Sequence, residues 1–193
     1  YRYEIINGAS IWRCPLWVPA RPSGLKRLIH LASFALSSFP IVLKQIFWKP
    51  DVVICIEPPL FNSFSAIITS KLSGAKSILH IQDFEVDAAF ELGIVKAGWL
   101  KSFIYAVERF LMNRFDRVST ISEAMLDKLN KKGVDSIKQL FFPNWVDTAF
   151  IYPLENPSIY RAELNISLSK AVALYSGNMG EKQGLEIVIQ AAK

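Results

Sequence analysis

The chain has 193 residues, 51% hydrophobic and 20% charged, which excludes intrinsic disorder and calls for one or two globular units with a real core. Its net charge is +5, but the cations are dispersed without a run of five, which excludes a basic nucleic-acid tail and favours a small anionic ligand or an anionic membrane surface. Cys14 and Cys55 form neither a CxxC nor a Cys/His pattern, so no metal site is expected, and reduced thiols suit a cytosolic chain.

Near-continuous apolar runs alternate with longer stretches of helical period, the pattern of a parallel α/β sheet covered on both faces. Strands are expected at 10–17, 51–56, 76–81, 117–121, 138–142 and 171–176, with helices at 24–48, 61–73, 98–113, 123–132 and from 183 onward. The first helix is apolar apart from a narrow stripe of Lys26, His30, Ser33, Ser37 and Lys44. Three readings stand for it. It could be a buried helix covering the sheet, or lie on lipid with Arg21, Lys26 and Arg27 at the headgroups. As a membrane span, its uncharged stretch 31–43 is short and interrupted by Pro40.

Gly74 and Gly133 fall just past helix ends, where a left-handed residue is wanted, and Thr120 with Glu123 predicts a capping box. In the helix at 98–113, Leu100, Phe103, Ile104, Val107, Phe110 and Leu111 form the core stripe, leaving Lys101, Glu108 and Arg109 outside. Pro143, Pro153, Pro157 and the polar run ENPS then break the pattern. The expected division is a Rossmann-like unit at 1–148, then a linker and the beginning of a second such unit at 149–193.

Ligands of open α/β sheets sit at the carboxyl ends of the strands, so the residues after each apolar run are the candidates. EPPLFNS places Glu57 in a stiff turn before a helix N-terminus. HIQDFEVD places Asp83, Glu85 and Asp87 behind a buried strand, where solvent, a hydroxylated ligand or a basic partner must satisfy them. His80 is expected to point into the core or between layers. STISEA places Ser122 at a helix start, as a cap or as a contact to phosphate or sugar. SGNMGEKQGLE carries Gly177, Gly180 and Gly184 in neither dinucleotide-binding nor P-loop spacing. There Gly177, Asn178 and Lys182 gather backbone amides, a helix dipole and an ammonium around one point, which suits a diphosphate.

EPPLF, HIQDFEVDAAFELG, STISEAM, FFPNWVD and YSGNMGEKQGLEIVIQAA, in this order, resemble a family 4 glycosyltransferase of the GT-B fold, in the branch of the colanic acid biosynthesis enzymes. The resemblance implies two Rossmann-like domains, the first for the acceptor and the second for a nucleotide-sugar donor. It implies a retaining transfer without a cofactor or metal, to a lipid-linked or glycan acceptor, at the inner face of the cytoplasmic membrane in surface polysaccharide assembly. Membrane contact would run through 24–48, and no nucleic acid is involved.

By the same resemblance Asp83 is the catalytic candidate, and Gly177, Asn178 and Lys182 hold the donor. Glu57, Glu85 and Ser122 face the acceptor or cleft, and Asn144, Trp145 and Asp147 fall where the family crosses from one domain to the other, as loop caps or, for Asn144 and Asp147, as a hinge. Many relatives carry a histidine before the aspartate where this chain has Gln82, and an arginine where it has Asn178. The chain reads as an excerpt, inactive as cut, with a first strand before Tyr1 and a paired-glutamate motif after Lys193. Two rival readings are a sugar-nucleotide epimerase of the same architecture and a non-catalytic, membrane-associated assembly factor.

Overall fold

The computed structural model of the chain describes residues 1–20, 24–91, 98–177, 179 and 183–192, the side chains of 24, 25, 88, 89 and 91 excepted. They divide into two units, Tyr1–Pro143 and Asn144–Lys193.

The first unit opens with an antiparallel hairpin of β1 (Arg2–Ile6) and β2 (Ala9–Arg13), not with a strand of the parallel sheet. Asn7 and Gly8 carry φ of 50° and 82°, the left-handed pair that a two-residue hairpin turn requires. Tyr3 and Trp12 pair across the strands with ring centroids 4.7 Å apart. Residues 14–17, expected to continue the strand, run without regular structure beside the next helix.

That helix, α1 (Gly24–Lys44), continues into a 3₁₀ turn at Gln45–Trp48. Its polar stripe is a docking seam for the segment before it. Trp17 N–H donates to Ser33 Oγ (2.9 Å), Ser37 Oγ donates to the Pro15 carbonyl (2.5 Å), and His30 Nδ1 lies 2.6 Å from the Trp17 carbonyl. Lys44 sits over the Trp12 ring. The helix is not buried as a sheet-covering helix would be, for Leu36, Phe47 and Trp48 are 76, 88 and 75% exposed. Among the described residues Lys26–Trp48 is long and apolar enough to cross a membrane by length and composition alone.

β3 (Val52–Glu57), β4 (Lys76–Ile81), β5 (Arg117–Thr120) and β6 (Gln139–Phe141) make a parallel sheet in sequential order, the Rossmann-like layer expected from the apolar runs. The crossovers are α2 (Asn62–Ser73), α3 (Glu85–Glu91) with α4 (Gly98–Arg114), and α5 (Glu123–Lys131). Gly74 closes α2 at φ 78°, its N–H on the Ser70 carbonyl, the left-handed cap expected there. Leu79, Ile81 and Val118 from the sheet pack on Ala66, Phe84, Met112, Phe115 and Leu129 from the helices and their junctions.

Several expectations are corrected. The α4 stripe is rotated: Phe103 and Phe110 are exposed, whereas Glu108 is 1% exposed and Met112 lies in the core. The rotation brings Glu108 onto a buried lysine, as described below. The capping box does not form, because Thr120 is the buried last residue of β5 and the α5 cap is Ser122, which accepts from Met125 N–H at 3.3 Å. α3 forms at Glu85–Glu91, outside the expected helices.

In the second unit, α6 (Tyr160–Glu163) and α7 (Glu186–Ala191) are the described helices. The strand expected at 171–176 is absent, with Val172 and Leu174 exposed. A strand needs a neighbour to take its backbone hydrogen bonds, and no other strand lies among the described residues of this unit.

Candidate functional site

The carboxyl edge of the sheet is assembled from the ends of β3, β4 and β5. Glu57 ends β3 opposite Ile81 of β4, and its carbonyl accepts the Gln82 N–H at 3.0 Å. The turn that follows, Pro58–Phe61, is tied to α3 by Leu60 N–H donating to Glu85 Oε2 (3.3 Å). Asp83 is half-buried in the bend between β4 and α3. Ser122 stands at the exit of β5, its hydroxyl used as the α5 cap. The structure therefore brings Glu57, Asp83, Glu85 and Ser122 to one edge of one sheet.

They are not equivalent there. Glu85 and Ser122 already serve the fold, as a brace for the β3–α2 turn and as a helix cap. Glu57 turns inward and is 0% exposed, so it is neither a solvated turn residue nor an open surface contact. Neither of its carboxylate oxygens has a well-formed hydrogen bond. Burial drives its pKa well above the usual carboxylate range, with Glu108 and then Glu85 adding repulsion, while Lys132 and the Glu85 amide relieve only part of it. Burial under the edge thus favours the neutral acid form of Glu57 over the carboxylate.

Behind it lies a buried ionic cluster. Lys132 Nζ reaches Glu108 Oε2 at 2.6 Å and Asp87 Oδ1 at 3.0 Å. Lys128 Nζ meets Asp87 Oδ2 at 2.7 Å, and Tyr105 donates to Asp87 Oδ1 at 2.9 Å. Burial pushes Asp87 up, but the two ammonium groups outweigh it and hold the carboxyl below its ordinary value. Glu108 goes the other way, since burial exceeds what its single lysine contact returns. Of the three ways to satisfy the acids of the HIQDFEVD stretch, a basic partner is the one realised at Asp87. Lys132 was missed because its partners lie 24 and 45 positions away in the chain.

His80 is buried between layers, as expected, with Nδ1 at 2.8 Å from Ser119 Oγ and Nε2 at 2.7 Å from Gln82 Nε2. Burial lowers its pKa and keeps the ring neutral. Cys55 is buried and unbridged, its thiol pushed up to about 11 by burial, an unreactive core group. Among the described residues no group of three or more His, Cys, Asp or Glu is placed to hold a metal.

In the second unit Gly177 lies in an exposed bend, with the Tyr175 hydroxyl 3.1 Å from where a Cβ would stand. Asn178 and Lys182 lie outside the described residues. Asp147 caps the turn after the division between the units, its Oδ1 accepting from Ala149 N–H (2.9 Å) and Phe150 N–H (3.3 Å). Asn144 is the first residue of that unit.

Comparison with known proteins agrees with this architecture. The family of glycosyl transferase 4-like domains matches residues 2–145. The chain is also 46% identical over its whole length to the "Putative colanic acid biosynthesis glycosyl transferase WcaI" of Escherichia coli (strain K12), of which the alignment covers 49%. The chain thus spans about half the length of that relative.

Proposed function

The chain belongs to the glycosyl transferase 4-like family, and from that premise we propose that it is the acceptor-side part of a retaining glycosyltransferase of surface polysaccharide assembly. The donor is a nucleotide sugar and the acceptor a lipid-linked or other glycan. The observation that carries this reading is the convergence of the EPPLF, QDFE and SEA motifs on one carboxyl edge, where ligands of open α/β sheets bind.

Asp83 is the proposed catalytic group at this edge. Glu57, sealed beneath it, acts from behind, as a support. Gly177, Asn178 and Lys182 are the proposed contacts to the donor diphosphate, whose leaving-group charge a lysine and backbone amides stabilise in place of a metal. Asn144 and Asp147 are proposed at the hinge.

α1 is the proposed membrane contact, at the cytoplasmic membrane's inner face. Between Glu4 and Asp51 the chain carries Arg13, Arg21, Lys26, Arg27, Lys44 and Lys49 and no acid, while Leu36, Phe47 and Trp48 stand out from the surface. Apolar anchors ringed by cations suit an anionic lipid surface.

The test is to incubate the intact protein and a membrane lipid extract with a panel of nucleotide sugars and to identify products by mass. Free nucleoside diphosphate with a heavier glycolipid is expected; an interconverted nucleotide sugar would make the protein an epimerase. Asp83→Asn should lower turnover by about 10²-fold or more, and Lys182→Ala should weaken nucleoside diphosphate binding with the fold intact. Unchanged turnover or unchanged affinity removes the respective assignment.

A further inference from the structure

α4 meets solvent along a row that the core does not use. Trp99, Phe103 and Phe110 are spaced four and seven apart, which puts them on one face of the helix, and each is more than half exposed. Beside this ridge a cavity of about 850 Å³ opens between α4 and the end of α5, and Phe110 belongs to both. Asp87 and Glu108 line it, but Lys132 and Lys128 offset their charge. Arg109, Arg114 and Lys131 line it too, all exposed, and among the described residues none of the three has an ion pair. Two of these cations have an ordinary explanation, since Arg114 and Lys131 end α4 and α5, where the helix dipole is negative. Arg109 lies in mid-helix and is held from two sides. Asn113 Nδ2 donates to the Arg109 carbonyl (2.9 Å) and to the Gly133 carbonyl (3.2 Å), clasping α4 to the turn after α5. The Arg109 guanidinium lies against Gly133, where a Cβ would stand 2.8 Å from its Cζ and Nε. Arg114 is set in turn by the Phe110 ring, 4.4 Å from the centroid. The fold therefore fixes two planar forks at one cavity.

We propose that this cavity binds the phosphate of an anionic phospholipid, through Arg109, Arg114 and Lys131, while Trp99, Phe103 and Phe110 enter the interfacial layer of the membrane. Guanidinium forks match phosphate oxygens in pairs, and aromatic side chains favour the headgroup level. An acidic peptide would answer the cations and leave the ridge in water; a phospholipid surface answers both. The contact adjoins α1, because Leu28 of α1 and Phe103 of α4 line one apolar cavity. It extends the membrane reading of α1 to a second element and is independent of the transfer reaction.

The test is co-sedimentation of the intact protein with vesicles of phosphatidylglycerol in phosphatidylcholine. Arg109→Gln with Arg114→Gln should weaken binding about tenfold or more and flatten its salt dependence. Phe103→Ser with Phe110→Ser should weaken it by a similar factor and keep the salt dependence. The replaced side chains are exposed, so the thermal midpoints should not move. Lys71→Gln with Arg117→Gln removes the same charge at the amino end of the sheet and should change binding by less than about twofold. An equal loss in that pair would reduce the effect to net charge and overturn the site. Glycerol phosphate at millimolar concentration should not displace the vesicles; displacement would make the cavity a site for a free phosphate and overturn the lipid. In a Leu36→Ser, Lys44→Glu protein the residual binding should still fall on loss of the two arginines. Residual binding indifferent to them overturns the α4 contact and leaves α1 standing, whereas no preference of the unaltered protein for phosphatidylglycerol sinks both.

Discussion

Two polar groupings in the first unit are satisfied in different ways. On α1, His30, Ser33 and Ser37 form a stripe along one apolar helix, whereas Asp87 of α3, Glu108 of α4 and Lys132 at the end of α5 come together only in the fold. The α1 stripe is satisfied by the backbone of the adjacent segment at the surface. The second grouping is charged and buried, and only counter-charge satisfies it. A hydroxyl can be met by any carbonyl that passes, but a buried carboxylate needs a cation delivered from elsewhere in the fold. The α1 stripe therefore depends on local chain geometry, and the buried cluster depends on the whole unit having formed.

Removing one member of each grouping should expose the difference. Lys132→Met leaves Glu108 without its cation and Asp87 with one of two, and should cost about 3–5 kcal/mol in denaturant unfolding. The double variant Lys132→Met with Glu108→Leu should recover part of this, since an apolar pair tolerates burial. A Lys132→Met loss under about 1 kcal/mol would mean that the cluster is solvated and the contrast with α1 empty.

Glu57→Gln is expected to act in the opposite direction. The folded pKa of Glu57 lies above its unfolded value, so its contribution is intact below the unfolded pKa and declines as pH rises toward the folded one. Replacing it with a permanently neutral amide should stabilise the protein by ~1–3 kcal/mol at pH 7 and by close to nothing near pH 4. Thermal unfolding at the two pH values checks this; a gain that is the same at both would show that Glu57 is not the neutral acid described.

Smaller effects belong to α1. Ser33→Ala removes the acceptor for Trp17 N–H and should cost about 1 kcal/mol, independent of salt. Leu36→Ser should change stability by less than about 0.5 kcal/mol, because the side chain touches solvent. With Lys44→Glu added, however, sedimentation with phosphatidylglycerol vesicles should fall several-fold. Undiminished vesicle binding would leave α1 as an ordinary surface helix.

Much of the fold was legible along the chain. The four parallel strands lie within a residue or two of their expected places, because continuous apolar runs between turns are a local signal. The hairpin was equally local, written in Asn7–Gly8 between alternating residues, a signal present but not taken. The strand expected at 171–176 failed for a different reason: its apolar run is real, but a run becomes a strand only beside another. The motifs placed Glu57, Asp83, Glu85 and Ser122 correctly at strand exits, yet did not say which way each side chain turns.

Apolar periodicity, turn residues and motif order are properties of neighbours in the chain, and these by themselves determined the Rossmann-like layer and the positions of the candidate residues. Tertiary structure alone decided that Glu108 points inward, that Glu57 is sealed under the edge, and that His80 meets Ser119. Each of these is settled by a partner distant in sequence, such as Lys132 or Ser119. The cost of burying a charge or an unmatched donor is assessed only when those segments meet, so no local pattern can record it.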